Sequence, residues 1–217
     1  MSSGHSTRKQ PPSPSRRQLE IEKYRQLYQG LASNPAGKMK KYGMFPPWRE
    51  HLLRRYLQCH HQRPGKYLDV GCGRGDSLAV AMSLGYFTQG VEVVDYLCVP
   101  PTIILVEGAH DMPFEDNKFD VVTCMDVMEH IPEEDVDLVI AEIARVGKEC
   151  LFGISYRSSI RMDMELHVTR HNCAWWAEKM ICYYKEVHTR NKDVPDHIVD
   201  YFGLRCWDAR EKPVRSA

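Results

Sequence analysis

The chain has no surplus of charge of either sign: 29 Lys plus Arg stand against 29 Asp plus Glu. A protein that wraps a phosphate backbone usually shows a basic excess, so the balance argues against a dedicated nucleic-acid binder, although it allows a local basic patch. Also missing are a signal-peptide core and an apolar run of the ~18 residues that a membrane span needs. The eight cysteines (59, 72, 98, 124, 150, 173, 182 and 206) form no Cys-x-x-Cys pair and are scattered through expected strands, helices and loops. That pattern predicts reduced, buried thiols, with no disulfides and no zinc site. These absences together predict a soluble, cytoplasmic protein with no membrane partner. No internal repeat is visible, and 217 residues suit one domain plus extensions, long enough to bury a sizeable core.

What is present centres on Tyr67-Leu-Asp-Val-Gly-Cys-Gly-Arg-Gly-Asp76, a short apolar run that opens through three alternate glycines onto a helix-like segment. Such glycines let a strand turn sharply into a helix and let backbone approach a ligand. Asp69, two residues before the first glycine, suits a cationic amino-acid moiety better than a pyrophosphate. The spacing resembles motif I of the class I S-adenosylmethionine-dependent methyltransferases. It fits the G-x-G-x-x-G of nicotinamide enzymes less well, because the third glycine falls one residue early.

The resemblance continues downstream. Ser77–Leu84 reads as a buried helix closed by Gly85. Phe87–Val91 reads as the second strand, with Glu92 at its carboxyl end, 17 residues after Gly75. An acidic residue there binds ribose hydroxyls in doubly wound sheets. Ile103–Val106 is the third strand. Residues 109–131, from Ala109-His-Asp-Met-Pro-Phe to Glu129-His-Ile131, resemble the family's D-A-x-x-L-P-F segment and the E-H-I/V ending of its fourth strand.

The chain is thus identified as a member of the class I methyltransferases, in the type-11, UbiE-like small-molecule branch. The resemblance implies a Rossmann-like α/β fold with seven strands in the order 3-2-1-4-5-7-6, the last two forming an antiparallel hairpin. It also implies S-adenosyl-L-methionine as cofactor. The motif positions carry over to Asp69, Gly71, Cys72, Gly73 and Gly75 in the loop, Glu92 and Val93 after strand two, and Ala109, His110 and Met125 around the adenine. One departure stands out. Relatives often carry an acid just before that alanine, as acceptor for the adenine amine, but here the residue is Gly108, preceded by Glu107. Asp111, Glu107 or a backbone carbonyl takes over, or stacking and the backbone of Ala109 and His110 hold the ring.

Residues 1–18, with five Ser, three Pro, four Lys or Arg and no acid, read as a disordered basic tail. Residues 19–61 read as helices and a lid: a short amphipathic helix over Leu19–Leu31, a break at Asn34–Lys38, then a second helix over Arg49–His60. Tyr42, Phe45 and Trp48 between them either contact cofactor or substrate or pin the helices to the core. The methyltransferase domain is expected over 62–210, with 211–217 as a tail. Within it, Pro132 is placed as first residue of a helix whose apolar face is Val136, Val139, Ile140 and Ile143, and which ends at Gly147. Cys150–Ile154 is the fifth strand. Asn172 caps the helix of Trp175, Trp176 and Met180, and Tyr183–Thr189 and Phe202–Trp207 are the last strands.

Methyl transfer from a sulfonium needs alignment above all, and a base only if the acceptor arrives protonated. Asp126, Glu129 and His130 follow strand four, Tyr156 and Arg157 follow strand five, and His167 precedes the Trp-Trp helix as in some relatives. Asp126, His130 and His167 are the catalytic candidates, His167 first. No metal is assigned, but Asp126-x-x-Glu129-His130 is similar to the Glu-x-x-Glu-His of ubiquinone-pathway and small-RNA methyltransferases that bind a divalent cation, so that reading stays open. The Pro-Pro tetrapeptide of amino-methylating DNA enzymes and the Pro-Cys of cytosine-C5 enzymes are missing. A small-molecule hydroxyl, amine or carboxylate is the expected acceptor; RNA or protein, approached through the tail and Lys38–Lys41, is the alternative, and a catalytically silent cofactor-binding partner is the third.

Overall fold

The computed structural model describes residues 13–33, 45–60, 63–95, 102–189 and 201–209. Expectations for residues 1–12, Lys38–Lys41, Tyr42, Cys98 and 211–217 lie outside these. Helix α1 spans Arg16–Ser33 and α2 spans Pro47–His60. The helix therefore starts inside the expected tail, for a readable reason. Ser15 and Gln18 form a reciprocal capping box, with Ser15 N donating to Gln18 Oε1 (2.8 Å) and Gln18 N to Ser15 Oγ (3.3 Å).

Five strands follow, β1 (Lys66–Val70), β2 (Phe87–Glu92), β3 (Ile103–Leu105), β4 (Val121–Met125) and β5 (Glu149–Ser155), with α3 (Asp76–Ser83) after β1 and α4 (Val136–Val146) after β4. All five are parallel. Buried on both faces, β1, β4 and β5 read as nearly continuous apolar runs rather than alternating ones. A two-residue hairpin, β6 (Ile160–Arg161) and β7 (Met164–Glu165), then leads to α5 (Cys173–Ile181) and the long strands β8 (Tyr184–Thr189) and β9 (Tyr201–Ala209). The sheet order is β3-β2-β1-β4-β5-β9-β8, with β9 antiparallel to both neighbours. Leaving aside the β6–β7 hairpin, which sequence did not reveal, this is the 3-2-1-4-5-7-6 order expected.

The apolar stripe of α4 is buried as its spacing requires: Val136, Val139, Ile140 and Ile143 pack with Phe152, Trp176 and Met180 on one face of the sheet. Helices α2 and α3 cover the other face through Leu53, Leu57 and Leu78. Pro132 differs from expectation. Its ψ of 138° is extended, so a tight 3-10 turn over Glu133–Asp135 intervenes and α4 begins only at Val136. Asn172 caps α5 as its position suggested, accepting from Trp175 N at 3.0 Å. The strand order reverses between β1 and β4, so the natural crevice of this fold opens at their carboxyl ends.

The seven described cysteines are free thiols, although Cys59 is exposed and Cys173 and Cys182 are half-buried, not fully buried. No helix among the described residues is long and apolar enough to cross a membrane.

Candidate active site

The glycine loop is held in place by two buried carboxylates. Asp69 accepts from Ser77 Oγ and from Thr123 Oγ1 (2.6 Å), and Thr123 in turn meets Tyr67 Oη at 2.5 Å. Asp69 thereby ties β1 to both α3 and β4. Burial raises its pKa to about 6, against the pull of those two hydroxyls. Glu92 accepts from Gly73 N through Oε2 (2.9 Å) and from Val93 N through Oε1 (2.8 Å), strapping the loop to the end of β2. Burial also raises the pKa of Glu92, opposed by these backbone donors. Gly71, Gly73 and Gly75 all take positive φ, at 70°, 53° and 83°. A side chain on Gly73 would meet no protein atom within 4 Å, so this position faces open space. Cys72 instead packs under the loop, where a Cβ on Gly90 would come within 2.5 Å of its Sγ.

A cavity of about 1110 Å³ lies at this end of the sheet. Asp69, Gly71, Cys72, Gly73, Glu92 and Val93 line it, as do Ala109, His110 and Met125. Gly75 does not; it precedes α3 as that helix's N-cap. Gly108 is explained by its neighbour. A Cβ there would lie 2.5 Å from His110 Nδ1, so the imidazole fills the space an acidic side chain would use. Arg17 of α1 holds that ring at Nε2 while its other nitrogens pair with Asp135 at 2.6 and 2.9 Å. Because an arginine can only donate, His110 carries its proton on Nδ1. Glu107 and Asp111 are exposed and do not line the cavity.

The three catalytic candidates line the same cavity. Asp126 has φ 54° and is clasped by Arg49 of α2, with one nitrogen 2.6 Å from Oδ1. Glu129 is fully buried; its Oε1 accepts from Ser155 N (3.0 Å), and its Oε2 has no hydrogen-bond partner. Burial and the nearby Asp126 push its pKa well up. Thr169 joins the far segment to this one, donating from N to Glu129 O (3.1 Å) and from Oγ1 to Ile131 O (2.6 Å). That bond pair brings His167 beside His130, ring centroids 4.7 Å apart. His167 Nδ1 lies 2.7 Å from the Arg157 carbonyl, and His130 Nδ1 lies 2.9 Å from that of Leu166 and also meets the Tyr24 hydroxyl. Burial lowers both imidazole pKa values, that of His130 further through its neighbour.

Arg17, Tyr24, Tyr28 and Arg49 also line the cavity, together with Phe45 and Trp48. The tyrosines were legible only as one face of an amphipathic helix. Nothing in the sequence tied Arg17 or Arg49 to acids some hundred residues away.

Comparison with known proteins gives the same family. A model of the methyltransferase domain matches residues 68–149. The chain is 35% identical over 95 residues to a ubiquinone biosynthesis O-methyltransferase of Thiobacillus denitrificans, covering 38% of this chain and 40% of that protein. It is 30% identical over 157 residues to a demethylmenaquinone methyltransferase of Symbiobacterium thermophilum, covering 64% and 59%. It spans about half the length of the curated relatives it matches. Among solved structures, it resembles Haemonchus contortus phosphoethanolamine N-methyltransferase 2, with phosphomonomethylethanolamine and S-adenosylhomocysteine. The TM-score is 0.65 at 14% identity, covering 94% of this chain and 61% of that one. By its glycine loop, its strand order and these matches, the chain carries over residues 68–149 a domain similar to that of the class I S-adenosylmethionine-dependent methyltransferases of the type-11 branch.

Proposed function

We propose that this chain transfers the methyl group of S-adenosylmethionine to a hydroxyl, amine or carboxylate of a small molecule. The observation that carries this reading is one cavity lined both by the glycine cradle and by His130 and His167. The residues fit the cofactor: Gly73 leaves open the space that a ligand would take, and the Glu92 carboxylate stands at the wall beside it. Gly71 and Gly73 would hold the amino-acid end, Glu92 the ribose, and Ala109 with His110 the adenine. Here His110 supplies a donor where relatives often supply an acid. When bound, the cofactor supplies an electrophilic methyl on a sulfonium.

The chain's own work is then alignment, which can lower a barrier by ~7–11 kcal/mol. His167 holds a proton on Nδ1, against the Arg157 carbonyl, which leaves Nε2 with a lone pair able to take the proton of a hydroxyl or ammonium. Asp126, committed to Arg49, acts by fixing α2 over the cavity.

Mass spectrometry of metabolites and RNA incubated with the protein and isotopically labelled cofactor tests the proposal. Label in a metabolite supports it; label confined to RNA or protein replaces the acceptor, and no label at all points to a silent cofactor-binding partner. Glu92→Gln is expected to weaken cofactor binding about tenfold or more, since a charge-assisted bond is worth ~1.5–3 kcal/mol and 1.4 kcal/mol is a decade. A calorimetric affinity within twofold of the parent would move the ribose contact elsewhere, with Asp95 next in line.

A second reading has its own observation. Donor atoms of Glu129, His130 and His167 lie within 4.8 Å of one another, and Glu129 Oε2 is buried with no partner. A divalent cation held there would orient an acceptor hydroxyl and lower its pKa. Asp126 is not part of that set, because Arg49 engages it. If the reading holds, a chelator silences the protein and magnesium, manganese or zinc restores it. A chelator-resistant enzyme excludes it.

A further inference from the structure

We propose that the methyl acceptor is an anion, carrying a carboxylate or phosphate group that Arg157 binds at the rim of the acceptor half of the cavity. The inference rests on the methyltransferase reading above and adds the class of substrate to it. The carboxylates that face this half are already committed. Asp126 pairs with Arg49, Glu20 takes Lys23 at 2.7 and 2.8 Å, and Asp135 takes Arg17. Glu129 is fully buried beside Asp126, which disfavours a negative charge on it. Arg157 lines the cavity beside His167 and takes part in no ion pair among the described residues; Arg74 shares both traits but sits on the glycine loop, at the cofactor end. Arg161, on the β6–β7 hairpin, also lines the cavity.

Arg157 is also built in rather than loosely attached. Its carbonyl is the acceptor for His167 Nδ1. Two residues before it, Ser155 N donates to Glu129, and two residues after it, Ser159 N donates to Glu165 Oε1 at 2.8 Å. Glu165 Oε1 also accepts from His167 N at 2.9 Å. The backbone of this arginine is therefore fixed at both sides and directly to the candidate base. A fixed backbone lowers the cost of ordering the segment when a ligand binds, and the guanidinium fork matches a carboxylate or phosphate. Its positive charge already acts at the site, helping to lower the proton affinity of Asp126 and of His167. An anion seated on Arg157 would thus lie beside the imidazole that handles the acceptor's proton.

The test is a calorimetric titration of the full chain saturated with S-adenosylhomocysteine, using benzoate, phenyl phosphate and neutral benzamide as probes at low salt. One or both anions are expected to bind at least tenfold more tightly than benzamide. Tighter benzoate assigns a carboxylate acceptor and tighter phenyl phosphate a phosphate one. Arg157→Gln is expected to weaken the preferred anion about tenfold or more, while S-adenosylhomocysteine affinity stays within twofold of the parent. Arg157→Lys should recover part of the loss, because it keeps the charge without the fork. Equal affinity for benzamide and the anions, or an Arg157→Gln variant with unchanged anion affinity, overturns the inference while the methyltransferase reading stands. A parent that does not bind S-adenosylhomocysteine overturns that reading, and this inference with it.

Discussion

Replacing Gly73 with valine is expected to abolish S-adenosylmethionine binding while leaving the chain folded. The two halves of that outcome have separate causes. A Cβ at position 73 meets no protein atom within 4 Å, so the new side chain enters the cavity without displacing its neighbours. The cost to the fold is the backbone. A φ of 53° disfavours any residue with a Cβ, by roughly 1–2 kcal/mol. In a chain of this size that shifts the melting midpoint by only a few degrees, at about 2–4 °C per kcal/mol. The cost to the ligand is larger, because two methyl groups fill the space the cradle leaves open. Gly73 N also supplies the donor that ties the loop to Glu92, and strain there loosens the ribose side as well. Gly71→Val makes the contrast, since a Cβ at position 71 would collide with Val127 Cγ2 and that variant should lose the fold itself. Calorimetry with S-adenosylmethionine and S-adenosylhomocysteine, alongside thermal unfolding, separates the two. A Gly73→Val protein that binds both at the parent's affinity would remove the cofactor from this loop.

How much of this was legible in the sequence depends on how local each feature is. The glycine loop, the acid ending β2 and the apolar stripe of α4 each lie within a few residues, and the fold places them where spacing predicts. The sheet order was legible through the family resemblance. Even Gly108, legible only as a departure, has its cause two residues away in His110. The start of α1 was local too. Ser15 and Gln18 have the spacing of a capping box, but they sit in a stretch whose composition looks disordered. The β6–β7 hairpin was hidden for a different reason. Met162 and Asp163 both take positive φ at its turn, and neither carries the Asn-Gly or Asp-Gly signal of such a hairpin. Long-range pairs left no trace at all. Arg49 lies 77 residues from Asp126, and Arg17 lies 118 from Asp135. So the cofactor half of the cavity, made of contiguous motifs, could be read in advance, whereas the charge balance of the acceptor half emerges only once α1 and α2 pack across it.

Replacing His167 with alanine is expected to lower turnover by about 10²–10⁴-fold, the usual worth of a positioned general base, with cofactor affinity nearly unchanged. The residue is buried, with 8% of its surface exposed, and its Nδ1–H is taken by the Arg157 carbonyl. Only Nε2 is left to act, and it acts only while unprotonated. Burial lowers the pKa of this imidazole below the ordinary value near 6.5. The parent should therefore keep its full rate through neutral pH and lose it on the acid side, below about 6.5. Stability should move in the same direction. Between the lowered folded pKa and 6.5 the unfolded chain binds more protons than the folded one, so stability falls as pH falls through that window. In His167→Ala the acid limb of the rate profile should vanish with the base, and the melting midpoint should depend less steeply on pH there. If instead a cation sits between Glu129, His130 and His167, His130→Ala should fail together with His167→Ala. Added metal would then rescue part of the activity. A fully active His167→Ala protein, alongside a parent that a chelator does not touch, would defeat both roles and leave alignment by the cavity walls as the whole of the mechanism.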